Sequence, residues 1–250
     1  MPHRRRRLLA GLAVGAALLA GCGSEVPDDA AESPTGSAAA APAEDTLATA
    51  TEQPLPSCDP PPPLPTDVPT YEARQAPTER PADRLEATLR TNCGDLTLEL
   101  YGDLAPVTVA SFQFLAGEGY WENSPCHRLT TAGIFVLQCG DPTGTGRGTP
   151  GYTFGIENAP ADGRYPRGTV AMARSRDPNS NGGQFFIVHQ DTQLPVNDGG
   201  YSVFGKVTSG MEIIDQIAEL GVDGGAADGV PAQMISILQV EVTEQKASES

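Results

Sequence analysis

The sequence predicts a mainly β fold, an antiparallel barrel or sandwich carrying two helices, preceded by a long extended segment. Three observations point there. From Leu85 onward the chain breaks into eight short runs rich in strand-forming residues, several of them alternating apolar and polar positions, the period of half-buried strands. Only two stretches carry helical spacing, too few for a parallel sheet whose strands each need a crossover helix. Proline usage divides the chain: of 23 prolines, 13 fall between Cys22 and Arg84 and only nine after Leu85, which sets a folded part apart from an unfolded one.

Residues 85–91 and 96–101 alternate and are joined by the turn signal Asn92-Cys93-Gly94-Asp95. Pro106 opens a helix with Val109, Phe112, Phe114 and Leu115 as apolar positions, ended by Gly117 or Gly119. Short strands are expected at residues 127–131, 134–138, 169–173, 184–188 and 202–207. A second helix is expected from Met211 to Leu220, stopped by Gly221, and residues 233–242 close as an alternating strand. No internal repeat is present.

A net charge of −16 excludes a nucleic-acid binder working by counterion release. No stretch after residue 21 has the roughly 18 apolar residues that a spanning helix needs. The N-terminus reads as an address: Arg4, Arg5, Arg6 and Arg7 precede an uncharged apolar run, residues 8–20, of signal-peptide length. The run ends in Leu19-Ala20-Gly21-Cys22, which resembles the lipobox of bacterial lipoproteins. That resemblance implies cleavage after residue 21 and diacylglycerol on the Cys22 sulfur, a lipid anchor at the outer face of the cell membrane. An ordinary secretory signal cut nearby is the alternative, and the arginine run permits either Sec or twin-arginine export. Residues 22–84 then read as a disordered linker: three basic residues stand against twelve acidic ones, Pro60-Pro61-Pro62-Pro63 stiffens it, and Tyr71 is its only aromatic. The folded domain is expected over residues 85–243, with a flexible tail over 244–250.

Most catalytic constellations are missing. His127 and His189 have no serine or cysteine in a nucleophile elbow, which removes the hydrolase reading. Cys126-His127 with Cys139-Gly140-Asp141 lacks paired metal-ligand spacing, so no metal or other cofactor is expected. The run from Gly144 to Gly151 lacks the third glycine of a phosphate cradle and reads as a flexible loop. Four cysteines remain after Cys22, and an exported chain with an even number suggests two disulfides among three connectivities. Cys126 and Cys139 sit at the outer ends of consecutive strands and come together if those strands pair. Cys58 and Cys93 would then pin the linker to the first turn, and free buried thiols are the alternative. One residue stands out: Arg128, an arginine within an apolar strand run, needs a partner or a purpose.

Around that arginine the chain resembles the cyclophilin family of peptidyl-prolyl cis-trans isomerases. The resemblance is carried by Cys126-His127-Arg128-Leu129, by Gly133-Ile134-Phe135-Val136-Leu137-Gln138-Cys139-Gly140-Asp141 and by Val170-Ala171-Met172-Ala173. It continues through Ser180-Asn181-Gly182-Gly183-Gln184-Phe185-Phe186-Ile187 and Tyr201-Ser202-Val203-Phe204-Gly205-Lys206-Val207. It spans residues 85–243 and implies an eight-stranded antiparallel barrel closed by two helices. It also implies catalysis of rotation about X-Pro bonds without metal, cofactor or covalent intermediate. Arg128 aligns with the arginine that hydrogen-bonds the prolyl amide, Gln138 with the glutamine orienting it, and Phe135, Phe186 and Leu194 with the proline pocket. Val136, Met172, Ala173, Arg174, Gln184 and Tyr201 align with further substrate-binding positions.

The sequence departs from the family pattern in several places. The segment from Thr130 to Gly133 is about two residues longer. Val136 replaces a methionine, Arg174 an asparagine and Tyr201 a histidine, and Gln193 stands where a tryptophan contacts cyclosporin, so weak cyclosporin binding is expected. The resulting expectation is a monomeric isomerase acting on proline-containing segments of exported proteins. The alternative is a non-catalytic proline-peptide-binding module on the same tether. The two readings differ in whether an isomerisation rate exists to be lost at Arg128.

Overall fold

The computed structural model describes residues 57–72 and 80–244. The expected signal segment, Cys22, linker residues 23–56 and 73–79 and the tail beyond residue 244 lie outside those residues. Numbered in chain order, the expected strands all form: β1 (Arg84–Thr91), β2 (Gly94–Tyr101), β4 (Arg128–Thr130), β5 (Val136–Cys139), β7 (Thr169–Met172), β8 (Phe185–Val188), β10 (Val203–Ser209) and β12 (Ser236–Glu244). So do both helices, α1 (Pro106–Gly117) and α2 (Met211–Leu220). Four two-residue strands were not expected: β3 (Ser124–Pro125), β6 (Arg164–Tyr165), β9 (Thr192–Gln193) and β11 (Asp228–Gly229).

The main sheet is therefore ten-stranded rather than eight-stranded, with its strands paired antiparallel in the order β11-β4-β5-β8-β7-β10-β2-β1-β12-β3. β6 and β9 pair apart from it. Only Cys126 and His127 separate β3 from β4, yet these two strands belong to opposite ends of the order. The sheet must curl until its ends meet, and Cys126 marks the seam. Its amide donates to the Ile235 carbonyl beside β12 at 2.9 Å, while its sulfur is bonded to Cys139 at the end of β5.

Local sequence explains the elements. Leu85, Ala87 and Leu89 on β1 and Leu96, Leu98 and Leu100 on β2 alternate inward, and full register from Arg84↔Tyr101 to Thr91↔Gly94 keeps them facing one core. Pro106 sits where a helix has no use for an amide hydrogen. The free amides of Val107 and Thr108 in that first turn donate to the Glu157 carboxylate at 3.0 and 2.7 Å, which caps α1 from a distant loop. α2 buries Ile213, Ile214 and Ile217 on one stripe. Inside the barrel Phe112, Trp121, Phe185 and Phe204 pack with centroids 4.6–6.4 Å apart.

At its end the linker is pinned by the expected Cys58–Cys93 bond, but the expectation of disorder fails there. Residues 57–72 lie against the domain: Cys58 is bonded to Cys93, the Asp59 amide donates to the Asn92 carbonyl at 2.7 Å, and the Tyr71 amide donates to Pro150 O at 2.7 Å. Tyr71 is buried edge-on against Phe114, 5.1 Å between centroids. That one aromatic and one cysteine supply the anchorage that the surrounding acidic and proline residues cannot. Closing loops of 35 and 13 residues, the disulfides contribute about 4 and about 3 kcal/mol on a chain-entropy account.

Candidate active site

β7 and β8 are buried on both faces, which is why their sequences read as unbroken apolar runs. Leu137, Val170, Met172, Phe185 and Ile187 face the barrel core, whereas Val136, Ala171, Phe186, Val188, Leu194 and Tyr165 form a second apolar cluster outside it. That outer face carries the site.

Strand register builds a row of neighbours across it: Arg128↔Gln138, Gln138↔Phe186, Phe186↔Ala171 and Ala171↔Val203. Residues paired in this way stand side by side on one face of a sheet. The row thus begins with a cation, passes through an amide and ends in apolar surface. Its first three members, Arg128, Gln138 and Phe186, line an open cleft of about 530 Å³. Leu194 and Tyr201 wall its apolar end, where the Tyr201 ring meets Phe186 edge-on at 5.7 Å. Tyr165 fixes that wall from behind, accepting a hydrogen bond from the Tyr201 amide at 2.8 Å and donating one to the Tyr201 carbonyl at 3.1 Å.

Polar side chains run from the arginine to the opposite rim as a relay. Arg128 Nη1 donates to Gln138 Oε1 at 3.3 Å, Gln138 Nε2 donates to Gln184 Oε1 at 2.9 Å, and Gln184 Nε2 donates to the Gly148 carbonyl at 2.9 Å. Gly148 is held in turn by Asp141, whose carboxylate accepts from the amides of Gly148 (3.0 Å) and Thr143 (2.8 Å) and from the hydroxyls of Thr143 and Thr145. Burial pushes the Asp141 carboxyl up, but the Thr143 and Gly148 bonds outweigh it and leave the group below its ordinary value. A Cβ at residue 148 would stand 1.9 Å from Asp141 Oδ1, so a larger residue would displace the carboxylate that holds this wall. The run expected to be a flexible loop is an organised wall, with Gly146, Arg147, Gly148 and Thr149 lining the cleft.

Of the residues expected at the site, Arg128, Val136, Gln138, Ala173 and Gln184 line the cleft, together with Arg174, Phe186, Leu194 and Tyr201. Two expectations fail. The ladder on β5 already runs regularly through residue 135, whose carbonyl accepts the His189 amide at 3.1 Å. Alternation therefore turns Phe135 away from Val136, toward the His189 ring and the end of α2, and Ile134 lines the cleft instead. Met172 is 3% exposed in the barrel core, while its neighbours Ala171 and Ala173 point outward. Arg174 is less a free cation than a clasp. Its Nε, Nη1 and Nη2 donate to the carbonyls of Gly200, Ser175 and Asp198 at 2.7–2.9 Å, and its guanidinium lies 4.9 Å above the Tyr201 ring.

The sequence reasoning missed Asp228, which grips Arg128 from β11. Its two carboxylate oxygens accept from Arg128 Nε and Nη2, each at 2.7 Å. The bond with Arg128 draws the Asp228 carboxyl below its ordinary value and holds the guanidinium more firmly protonated. Among the described residues no cluster of His, Cys, Asp or Glu is arranged to hold a metal ion.

Comparison with known proteins agrees with this arrangement. Residues 87–242 match the family model for cyclophilin type peptidyl-prolyl cis-trans isomerase/CLD. A probable peptidyl-prolyl cis-trans isomerase B of Mycobacterium leprae is 44% identical over 178 residues, 66% of this chain and 58% of that protein. Its Mycobacterium tuberculosis counterpart is 42% identical over 63% of this chain and 54% of its own length, so the chain spans just over half of these relatives. A Helicobacter pylori peptidyl-prolyl cis-trans isomerase is 39% identical over 61% of this chain and 90% of that protein. A crystal structure of a Cryptosporidium parvum cyclophilin type isomerase in the presence of the dipeptide Ala-Pro superposes with a TM-score of 0.54. It is 33% identical and covers 64% of this chain and 99% of that one. Fold, site row and sequence match together place the chain in the cyclophilin-type peptidyl-prolyl cis-trans isomerase family.

Proposed function

We propose that the chain catalyses cis-trans rotation about X-Pro bonds in polypeptides outside the cytoplasm. The observation that carries this reading is a half-exposed guanidinium at one end of an apolar cleft, with donors left over. Arg128 has five N–H groups, and three are used by Asp228 and Gln138, which leaves one on Nη1 and one on Nη2. A proline ring on Phe186, Leu194 and Val136 buries apolar surface worth about 25 cal/mol per Å². Its amide then lies toward Arg128. A hydrogen bond to the prolyl nitrogen withdraws its lone pair from conjugation with the carbonyl, which lowers a barrier of about 20 kcal/mol that otherwise takes tens of seconds to cross. The bond forms best when the amide is twisted, so it stabilises the transition state more than either isomer. No covalent bond is made or broken.

The test is exchange NMR of an Xaa-Pro peptide with the full chain and with Arg128→Ala. Catalysis by wild type and a loss of at least about 100-fold in the variant, with peptide still bound, is the expected result. Peptide binding without catalysis by wild type would replace this reading with the proline-peptide-binding module.

Lipid anchorage through Cys22 is part of the same proposal, supported by the arginine run, the apolar segment and the small residues before that cysteine. Metabolic labelling with a fatty acid should mark the wild-type chain and not Cys22→Ala. Label retained by the variant would remove the anchor from the proposal.

A further inference from the structure

We propose that Asp228 is a positioning residue for this reaction, holding the Arg128 guanidinium so that its unused N–H groups face the cleft; the proposal rests on the isomerase reading above. Three observations carry it. The first is geometric. Asp228 takes Nε and Nη2, one edge of the fork, with two bonds of 2.7 Å, and Gln138 takes one hydrogen of Nη1. A carboxylate bonded in this parallel manner fixes both the plane and the rotation of the guanidinium. What remains is one hydrogen on each Nη, enough for a single acceptor on the substrate side.

The second observation is the backbone that delivers the carboxylate. β11 is two residues long, and its ladder contacts are with β4 alone: Asp228↔Thr130 and Gly229↔Leu129. The strand that carries Arg128 thus also carries, as its own outer neighbour, the partner that orients it. A third contact, from the Thr131 amide to the Ala227 carbonyl at 2.9 Å, extends this attachment into the segment where the chain is longer than its family pattern.

The third observation is energetic. The side chains of Arg128 and Asp228 are 36% and 56% exposed. Pairs this exposed are weakened by water, and bidentate geometry restores their worth only in part, so stabilising the fold is an incomplete account of such regular geometry. Orientation is a better one. A long arginine side chain on a three-residue strand would otherwise sample many rotamers, and only those presenting both Nη atoms to the prolyl amide are productive.

The proposal separates kcat from both stability and binding. In Asp228→Ala of the full chain, kcat for a short Xaa-Pro peptide should fall about tenfold, with KM within about twofold of wild type and the melting temperature nearly unchanged. Asp228→Asn, which keeps one acceptor oxygen, should recover part of that loss. The Arg128 Nε–H resonance should exchange slowly in wild type and broaden or shift in Asp228→Ala. Adding Asp228→Ala to Arg128→Ala should cost nothing further, because the aspartate acts only through the arginine. Wild-type kcat in Asp228→Ala, or an equal loss on the Arg128→Ala background, would overturn the proposal. A wild-type chain without isomerase activity would overturn the isomerase reading first and this proposal with it. Wild-type activity beside an unaffected Asp228→Ala would overturn the proposal alone.

Discussion

Asp141→Asn tests how far the cleft depends on a carboxylate that does not line it. The side chain is fully buried and accepts four hydrogen bonds, three of them at 2.7–3.0 Å. The amide substitute keeps one acceptor oxygen, enough for the Thr143 amide and hydroxyl at Oδ1. At the Oδ2 position it sets an NH2 against the Gly148 amide, two donors facing each other at about the 3.0 Å of the lost bond. One buried N–H then has no partner, which costs about 1–3 kcal/mol, and a charge-assisted bond is lost besides. We expect a total of about 2–4 kcal/mol by urea unfolding, with an unchanged m-value. The functional loss should follow by a definite route: Gly148 shifts, its carbonyl releases Gln184, and Gln138 no longer has a fixed partner on the side away from Arg128. Measured well below the unfolding midpoint, kcat/KM for an Xaa-Pro peptide should fall severalfold. An unchanged urea midpoint would refute the account of Asp141 as the hub of this wall. A destabilised but fully active variant would refute the relay from the wall to the arginine.

Two further outcomes are expected. His127 is held below its ordinary pKa chiefly by burial, opposed by Asp141 and reinforced by Arg128, and neither ring nitrogen has a protein partner. The unfolded chain therefore binds the proton more readily, so stability is full above about pH 6.5 and is lost as pH falls toward the lowered value; melting curves between pH 7.5 and 5 should show this slope in wild type and not in His127→Leu. Ile134→Ala should raise KM severalfold by removing cleft surface, whereas Phe135→Ala should leave kcat and KM within about twofold and lower only the melting temperature; the reverse pattern in peptide kinetics would show that the cleft takes Phe135 after all.

What the sequence discloses and what it hides follow from how each residue is held. Strands β1 and β2, and β12 from Val240 onward, alternate because one face meets the core and the other meets water, and their boundaries are legible to within a few residues. β7 and β8 are buried on both faces, so apolar content revealed them but periodicity could not say which residues face the cleft. Met172 stands at the site only by the family resemblance, and burial on both faces of β7 leaves no periodicity to correct it. A strict count of two along Ile134, Val136 and Gln138 did hold the correct answer for β5, and the family pattern, drawn from chains with a shorter preceding segment, displaced it. The two-residue strands leave no pattern, being set by the neighbour they pair with.

The docking of residues 57–72 beyond the expected Cys58–Cys93 bond, and the role of Asp228, are hidden by different physics. Composition averages over the acidic and proline-rich arm gave disorder, but anchorage needs only a few contacts when one is covalent. Once Cys58 is bonded to Cys93, Tyr71 is already confined near its pocket, so the entropy of docking it is largely spent in forming the bond. The same reasoning makes the cleft wall depend on the arm: the Tyr71 amide holds Pro150, two residues beyond the Gly148 carbonyl that anchors Gln184. Asp228 lies in a stretch of glycine, alanine and aspartate without any period, where no aspartate differs from its neighbours. Its role exists only once β11 pairs with β4 and sets a carboxylate beside a guanidinium 100 residues away in the chain. An arginine within an apolar strand announces that it has a partner; which of 32 acidic residues that is can be read only from the fold.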